Sequence, residues 1–134
     1  MSRKVLVVDD VAFVRKTLSD LLTQAGYQVV GEATDGTDAV AKYMQLRPDL
    51  VTMDVVMPQM SGIEATKKII KLDKDARVII ISAMGQENLV MEAINVGAKD
   101  YVLKPFSAQE VLKTLERAMS GETARGPVRE SRIG

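Results

Sequence analysis

The stretch Lys4-Val5-Leu6-Val7-Val8-Asp9-Asp10 decides how the rest of the chain is read. Consecutive apolar residues without alternation suit a strand covered on both faces, as in a parallel sheet packed between helices. A strand with one wet face would alternate. The run then stops at two adjacent carboxylates, whose mutual repulsion opposes burial. A buried strand that ends in like charges ends where charge has a use.

Similar runs recur at Val29-Val30, Leu50 to Met53, Val78 to Ile81 and Tyr101 to Leu103, about every 20 to 28 residues, the spacing of strands in βαβ units. The segments between them have helical period. Val11, Val14, Leu18, Leu21, Leu22 and Ala25 form one apolar stripe, and Ala65, Ile69 and Leu72 another. Val90, Ala93 and Ile94 continue the pattern, as do Val111, Leu112, Leu115, Ala118 and Met119. Ser61-x-x-Glu64 and Ser107-x-x-Glu110 have the capping-box form, and Gly26 and Gly97 stand where helices would end. The pattern predicts an α/β domain of (βα)5 type over residues 1–120, a three-layer sandwich around a parallel five-stranded sheet with right-handed crossovers. From Gly121 the apolar period is lost and Gly and Pro enter, which predicts a flexible tail over 121–134.

At 134 residues the chain is long enough for one core. Hydrophobic residues make up 46% and charged ones 27%, an ordinary globular balance. Lys plus Arg equals Asp plus Glu at 18 each, so no basic excess holds nucleic acid or anionic lipid, and any partner is recognised by a local surface. Cys and His are both absent, which excludes disulfides, Cys-ligated zinc, His-centred triads and an internal phosphohistidine. No secretory leader pattern and no apolar run near about 18 residues is seen, and a cytoplasmic protein away from the membrane is expected.

Open parallel sheets bind ligands beyond the carboxyl ends of their strands. Here the first strand ends at Asp9-Asp10, the third at Asp54, the fourth at Ser82-Ala83 and the fifth at Lys104-Pro105. Taken singly, Asp10 reads as a helix cap, Asp54 as a solvated loop residue, Ser82 as a turn residue and Lys104 as a surface charge. Taken together they place complementary chemistry on one edge. Three crowded carboxylates need a cation, and an oxygen-only donor set favours Mg²⁺, whose charge with that of Lys104 balances Asp9, Asp10 and Asp54.

With these motifs the chain resembles the receiver domains of two-component response regulators, most of all the single-domain chemotaxis type, over about residues 3–120. Met53-Asp-Val-Val-Met-Pro-Gln-Met-Ser-Gly62 and Ser82-Ala-Met-Gly85 strengthen the likeness. The resemblance implies the flavodoxin-like strand order 2-1-3-4-5. It implies Asp54 as phosphoacceptor, and Asp9, Asp10, Asp54 and the backbone carbonyl of Val56 as holders of Mg²⁺. It makes Ser82 and Lys104 the groups that contact the phosphoryl, Ser82 and Tyr101 the switch pair, and Lys104–Pro105 a cis peptide. It further implies a monomer that takes a phosphoryl group from a histidine kinase and binds the flagellar motor switch, catalysing only its own phosphorylation and dephosphorylation. Two positions depart from the best-known chemotaxis regulators: Val56 and Met84 are apolar where those carry polar residues, and a shielded acyl phosphate would leave turnover to a separate phosphatase.

Other readings are weaker. A receiver cut from a multidomain regulator with a DNA-binding or enzymatic output would carry the same site. A haloacid-dehalogenase-type Mg²⁺-dependent phosphatase places a second acid two residues after its nucleophile, where this chain has Val56. A flavodoxin-like FMN carrier needs a phosphate loop after the first strand, which is missing, and aromatic residues are only 4%. Lys67, Lys68, Lys71 and Lys74 read as a solvated helix face.

Overall fold

The computed structural model describes residues 3–121, so residues 122–134 of the expected tail lie outside the described residues. Five strands, β1 (Lys4–Val8), β2 (Gln28–Ala33), β3 (Leu50–Asp54), β4 (Val78–Ala83) and β5 (Asp100–Lys104), form one parallel sheet in the order β2-β1-β3-β4-β5. They alternate with helices α1 (Ala12–Gln24), α2 (Gly36–Leu46), α3 (Gly62–Leu72), α4 (Glu87–Asn95) and α5 (Ala108–Met119). This is the (βα)5 flavodoxin-like sandwich the strand spacing and the resemblance lead one to expect.

Direction of travel along the sheet sorts the helices into layers. The chain moves one way from β1 to β2 and the other way from β2 onward, so crossovers of one hand place α1 opposite α2, α3 and α4. The pleat supplies both layers with apolar side chains. Val5, Val7, Leu50, Ile79, Ile81 and Val102 pack against Leu18 and Leu22 of α1 and Val111 and Leu115 of α5. Leu6, Val8, Val51, Met53, Val78 and Ile80 pack against Tyr43 of α2, Ile69 of α3 and Val90 of α4.

Helix ends follow local chemistry, with two departures from expectation. Ser107 and Glu110 make the reciprocal capping box, whereas Ser61 accepts only the Glu64 N–H, at 3.2 Å. Gly26 and Gly97 have φ of +93° and +124°, the left-handed turn that ends α1 and α4. Val11 and Leu72, placed in buried stripes by their spacing, are 47% and 51% exposed because each lies at a helix tip past the strands that would cover it. For α2 the apolar spacing gave no stripe; its buried face is Gly36, Ala39 and Tyr43.

Tyr43 anchors α2 to the α3–β4 connection. Its hydroxyl donates to Asp73 Oδ2 at 2.7 Å, and the Arg47 guanidinium lies 5.9 Å from the ring centroid and 3.8 Å from the same carboxylate oxygen. Burial first, then the bond to Asp73, raises the Tyr43 phenol above its ordinary value; the same bond lowers Asp73. A lowered carboxylate stabilises the fold above the ordinary carboxylate range and loses that contribution in acid. Tyr43→Phe is therefore expected to cost about 1 kcal/mol in urea unfolding at pH 7. The deficit against the parent protein should shrink as the pH falls below about 4, where Asp73 takes up a proton.

Candidate functional site

The alternation that builds the two core layers also sorts the residues at the sheet's carboxyl edge. Asp9 continues the parity of Val5 and Val7, Asp54 that of Leu50 and Thr52, and Lys104 that of Val102. All three therefore stand on the α1–α5 side. Ser82 continues Val78 and Ile80, and Tyr101 packs in the same layer, so these two stand on the α3–α4 side. Reading strand ends identified Asp9, Asp54, Ser82 and Lys104, and the family resemblance supplied Tyr101, near the start of β5; only the folded sheet shows that they form two groups on opposite faces.

On the first side, Asp9, Asp10 and Asp54 each offer a carboxylate oxygen within 4.8 Å of the others. Asp9 and Asp54 are buried while Asp10 is exposed. Lys104 Nζ lies 3.1 Å from Asp9 Oδ2 and 3.7 Å from Asp54 Oδ1. Asp54 Oδ1 also accepts the Val55 N–H at 2.9 Å. Burial and then the Asp9 carboxylate raise the Asp54 carboxyl to about 6, with Asp10 adding to the rise and Lys104 and the Val55 N–H opposing it. One ammonium does not neutralise three carboxylates.

The donor set fits a small hard cation. Every candidate ligand is an oxygen, the chain holds no His or Cys, and the carboxylates outnumber the nearby ammonium by two. The reading of Asp10 as a helix cap does not hold: α1 has no side-chain cap, and it is Asp9 Oδ1 that accepts the Val11 N–H, at 2.9 Å. Asp10 is left to face the cluster's open side.

Two glycines, not singled out by the sequence reading, set the loop that follows Asp54. Gly62 donates to the Val55 carbonyl at 2.8 Å, and a Cβ there would overlap the Asp54 carbonyl oxygen. Gly36 donates to the Met60 carbonyl at 2.9 Å, and a Cβ there would overlap that oxygen. Backbones approach this closely only where a side chain is lacking. The usable signal was Gly62 directly after the capping Ser61, where a helix interior would otherwise favour Ala.

On the second side, the buried Ser82 hydroxyl donates to Gln86 Oε1 at 2.9 Å, a partner that strand-end reasoning does not find. Tyr101 is only 9% exposed, its ring already in the core layer with α3 and α4. The Lys104–Pro105 peptide is cis. Three apolar side chains in the segments that follow these strand ends are exposed: Phe13 at 77%, Val56 at 53% and Met84 at 71%.

Comparison with known proteins gives the same picture. A family profile for the response regulator receiver domain matches residues 5–116. The chain is 53% identical over 117 residues to the chemotaxis protein CheY of Thermotoga maritima, covering 87% of this chain and 98% of that one. It is 48% identical over 120 residues to the chemotaxis protein CheY of Bacillus subtilis, covering 90% and 100%. Among solved structures, the CheX–CheY–BeF3–Mg²⁺ complex from Borrelia burgdorferi aligns with a TM-score of 0.81 at 41% identity, over 84% of this chain and 86% of that one. Matched from Val5 in the first strand to Glu116 in the last helix, and aligned over nearly the whole length of its chemotaxis relatives, the chain belongs to the response regulator receiver domains of two-component signalling.

Proposed function

We propose that this receiver domain is a chemotaxis-type phosphoacceptor: Asp54 takes a phosphoryl group from a phosphohistidine on a partner kinase, and the modified chain changes its affinity for the flagellar motor switch. The observation that carries this is the convergence of Asp54 with Asp9, Asp10 and Lys104 at one edge of the sheet. Mg²⁺, held by Asp9, Asp10, Asp54 and the Val56 backbone carbonyl, would supply neutralisation of the phosphoryl oxygens. These 134 residues include no His to act as donor, so the phosphohistidine is supplied from outside them.

The surroundings of Asp54 favour one attacking atom. Asp54 Oδ1 is engaged by the Val55 N–H and faces Lys104, whereas Oδ2 accepts no hydrogen bond among the described residues. Oδ2 forms the new O–P bond as the P–N bond breaks, and the departing imidazole keeps the electron pair. Lys104 screens the incoming negative charge, and the contribution is one of positioning and electrostatics. Asp54 goes from one negative charge to about two, with new acceptor oxygens that draw Ser82 and Lys104 inward. Tyr101 and α4 share the layer beside Ser82, so this local change biases the surface formed by α4, β5 and α5, where the partner binds.

Incubation with a small phosphodonor and Mg²⁺ should label the parent protein and leave Asp54→Asn unlabelled; label that survives Asp54→Asn removes the assignment. The labelled parent should retain the motor switch protein in a pull-down more strongly than the unlabelled one, and equal retention would favour a receiver with a different output.

Asp54 also makes a stability prediction. Because its folded-state value is raised to about 6, ionising it at neutral pH works against the fold. In the absence of metal, Asp54→Asn should be more stable than the parent at pH 7, by on the order of 1–3 kcal/mol. The gain should vanish below about pH 4, where the carboxyl is protonated both folded and unfolded. Added Mg²⁺ should raise the melting temperature of the parent more than that of the variant.

Val56 and Met84, both exposed and two residues after Asp54 and Ser82 respectively, screen the acyl phosphate from water in this reading and so slow its hydrolysis, which would leave turnover to a separate phosphatase. Replacing both with Asn should shorten the lifetime of the phosphoprotein by a few-fold, followed as loss of label after the donor is removed. An unchanged lifetime would refute the shielding role.

A further inference from the structure

We propose that the Gln86 carboxamide is a latch that occupies the Ser82 hydroxyl before phosphorylation, so that breaking this contact is part of the cost of activation. The proposal rests on the reading of Asp54 as the phosphoacceptor.

Two contacts define the latch. Ser82 Oγ and the Ala83 backbone nitrogen each lie 2.9 Å from Gln86 Oε1. A backbone N–H can only donate, so the carboxamide atom that faces it is the oxygen. That oxygen can only accept, and Ser82 must therefore spend its single proton on it. The Ala83 carbonyl is a second acceptor for the same proton, at the longer distance of 3.2 Å. Ser82 is fully buried, which leaves no room for bulk water to take over the bond.

A hydroxyl whose proton is engaged by Gln86 cannot donate it to a phosphoryl oxygen on Asp54. To donate there, Ser82 has to turn its proton away from Gln86 Oε1, and that bond is lost. A phosphoryl oxygen is a charged acceptor and binds such a donor more strongly than a neutral carboxamide does, so phosphorylation can outbid the latch. Gln86 also begins α4: its backbone carbonyl accepts the N–H groups of Leu89 and Val90, both at 3.0 Å. One side chain thus joins the end of β4 to the start of α4, and releasing it frees both Ser82 and the helix that borders the proposed output surface.

The test compares the full chain with Gln86→Leu, which removes the acceptor, and Gln86→Glu, which keeps one. The probe is trifluoroberyllate with Mg²⁺, a phosphoryl analogue, read by titration. Gln86→Leu should bind it about three- to tenfold more tightly than the parent, the scale of one or two neutral hydrogen bonds no longer given up. In a Ser82→Ala background the same substitution should have little effect, because the hydroxyl it would release is gone. A second readout needs no ligand: amide exchange at Ala83 should quicken several-fold in Gln86→Leu and stay near the parent rate in Gln86→Glu. Faster exchange with unchanged trifluoroberyllate affinity would make the contact merely structural and overturn the latch. So would an affinity gain that persists undiminished in Ser82→Ala. A parent protein that binds no trifluoroberyllate at all would instead remove the phosphoacceptor reading, and the latch with it.

Discussion

The repulsion between Asp9 and Asp54 is the constraint on which the rest of the site depends. Both carboxylates are buried at the end of adjacent parallel strands, and Asp10 stands within reach of both. Lys104 relieves part of the charge, lying nearer Asp9 than Asp54. What it does not relieve appears as the raised Asp54 carboxyl, a group held in a charge state that the fold itself disfavours. Such a site favours positive charge.

Holding like charges together requires a rigid frame. Strands buried on both faces supply it, since each of β1, β3 and β4 is locked between two apolar layers. The loop after Asp54 is secured by backbone contacts at Gly36 and Gly62 that admit no side chain. At the far side of the sheet, the buried Asp100 pairs with Arg117 of α5 at 3.2 Å and accepts the Tyr101 N–H at 2.8 Å, fixing the start of β5. Strain at the carboxyl edge is thus carried by packing elsewhere, the usual arrangement at functional sites.

Much of this was legible in the linear text. Non-alternating runs such as Val78 to Ile81 indicated strands covered on both faces, and the polar residues that stop them indicated the ligand edge. Where local pattern was misleading, the cause is identifiable. Val11 and Leu72 satisfy a helical stripe yet lie at tips the sheet does not reach. Ser61 and Glu64 have the spacing of a capping box, but Glu64 does not fold back. The α2 face is built from a glycine, an alanine and a tyrosine, too small or too amphipathic to register as an apolar period. Gln86 offered no signal at all, because a lone Gln in a turn has many uses and its meaning comes from Ser82 four residues earlier.

Composition and order along the chain by themselves determined the class of fold, the identity of the residues at the strand ends and the exclusion of His and Cys chemistry. These are properties of periodicity and of residue type, which a linear text contains in full. Tertiary structure alone decided which of those residues meet. Asp9 and Lys104 are separated by 95 positions in sequence and by 3.1 Å in space. The parity of each strand, set by where its pairing begins, placed Asp9, Asp54 and Lys104 on one face and Ser82 with Tyr101 on the other. A shift of one residue in β1 or β3 would leave the composition unchanged and send Asp9 or Asp54 into the wrong layer. Register is fixed by the packing of the whole sheet, and so the chemistry of the edge belongs to the fold.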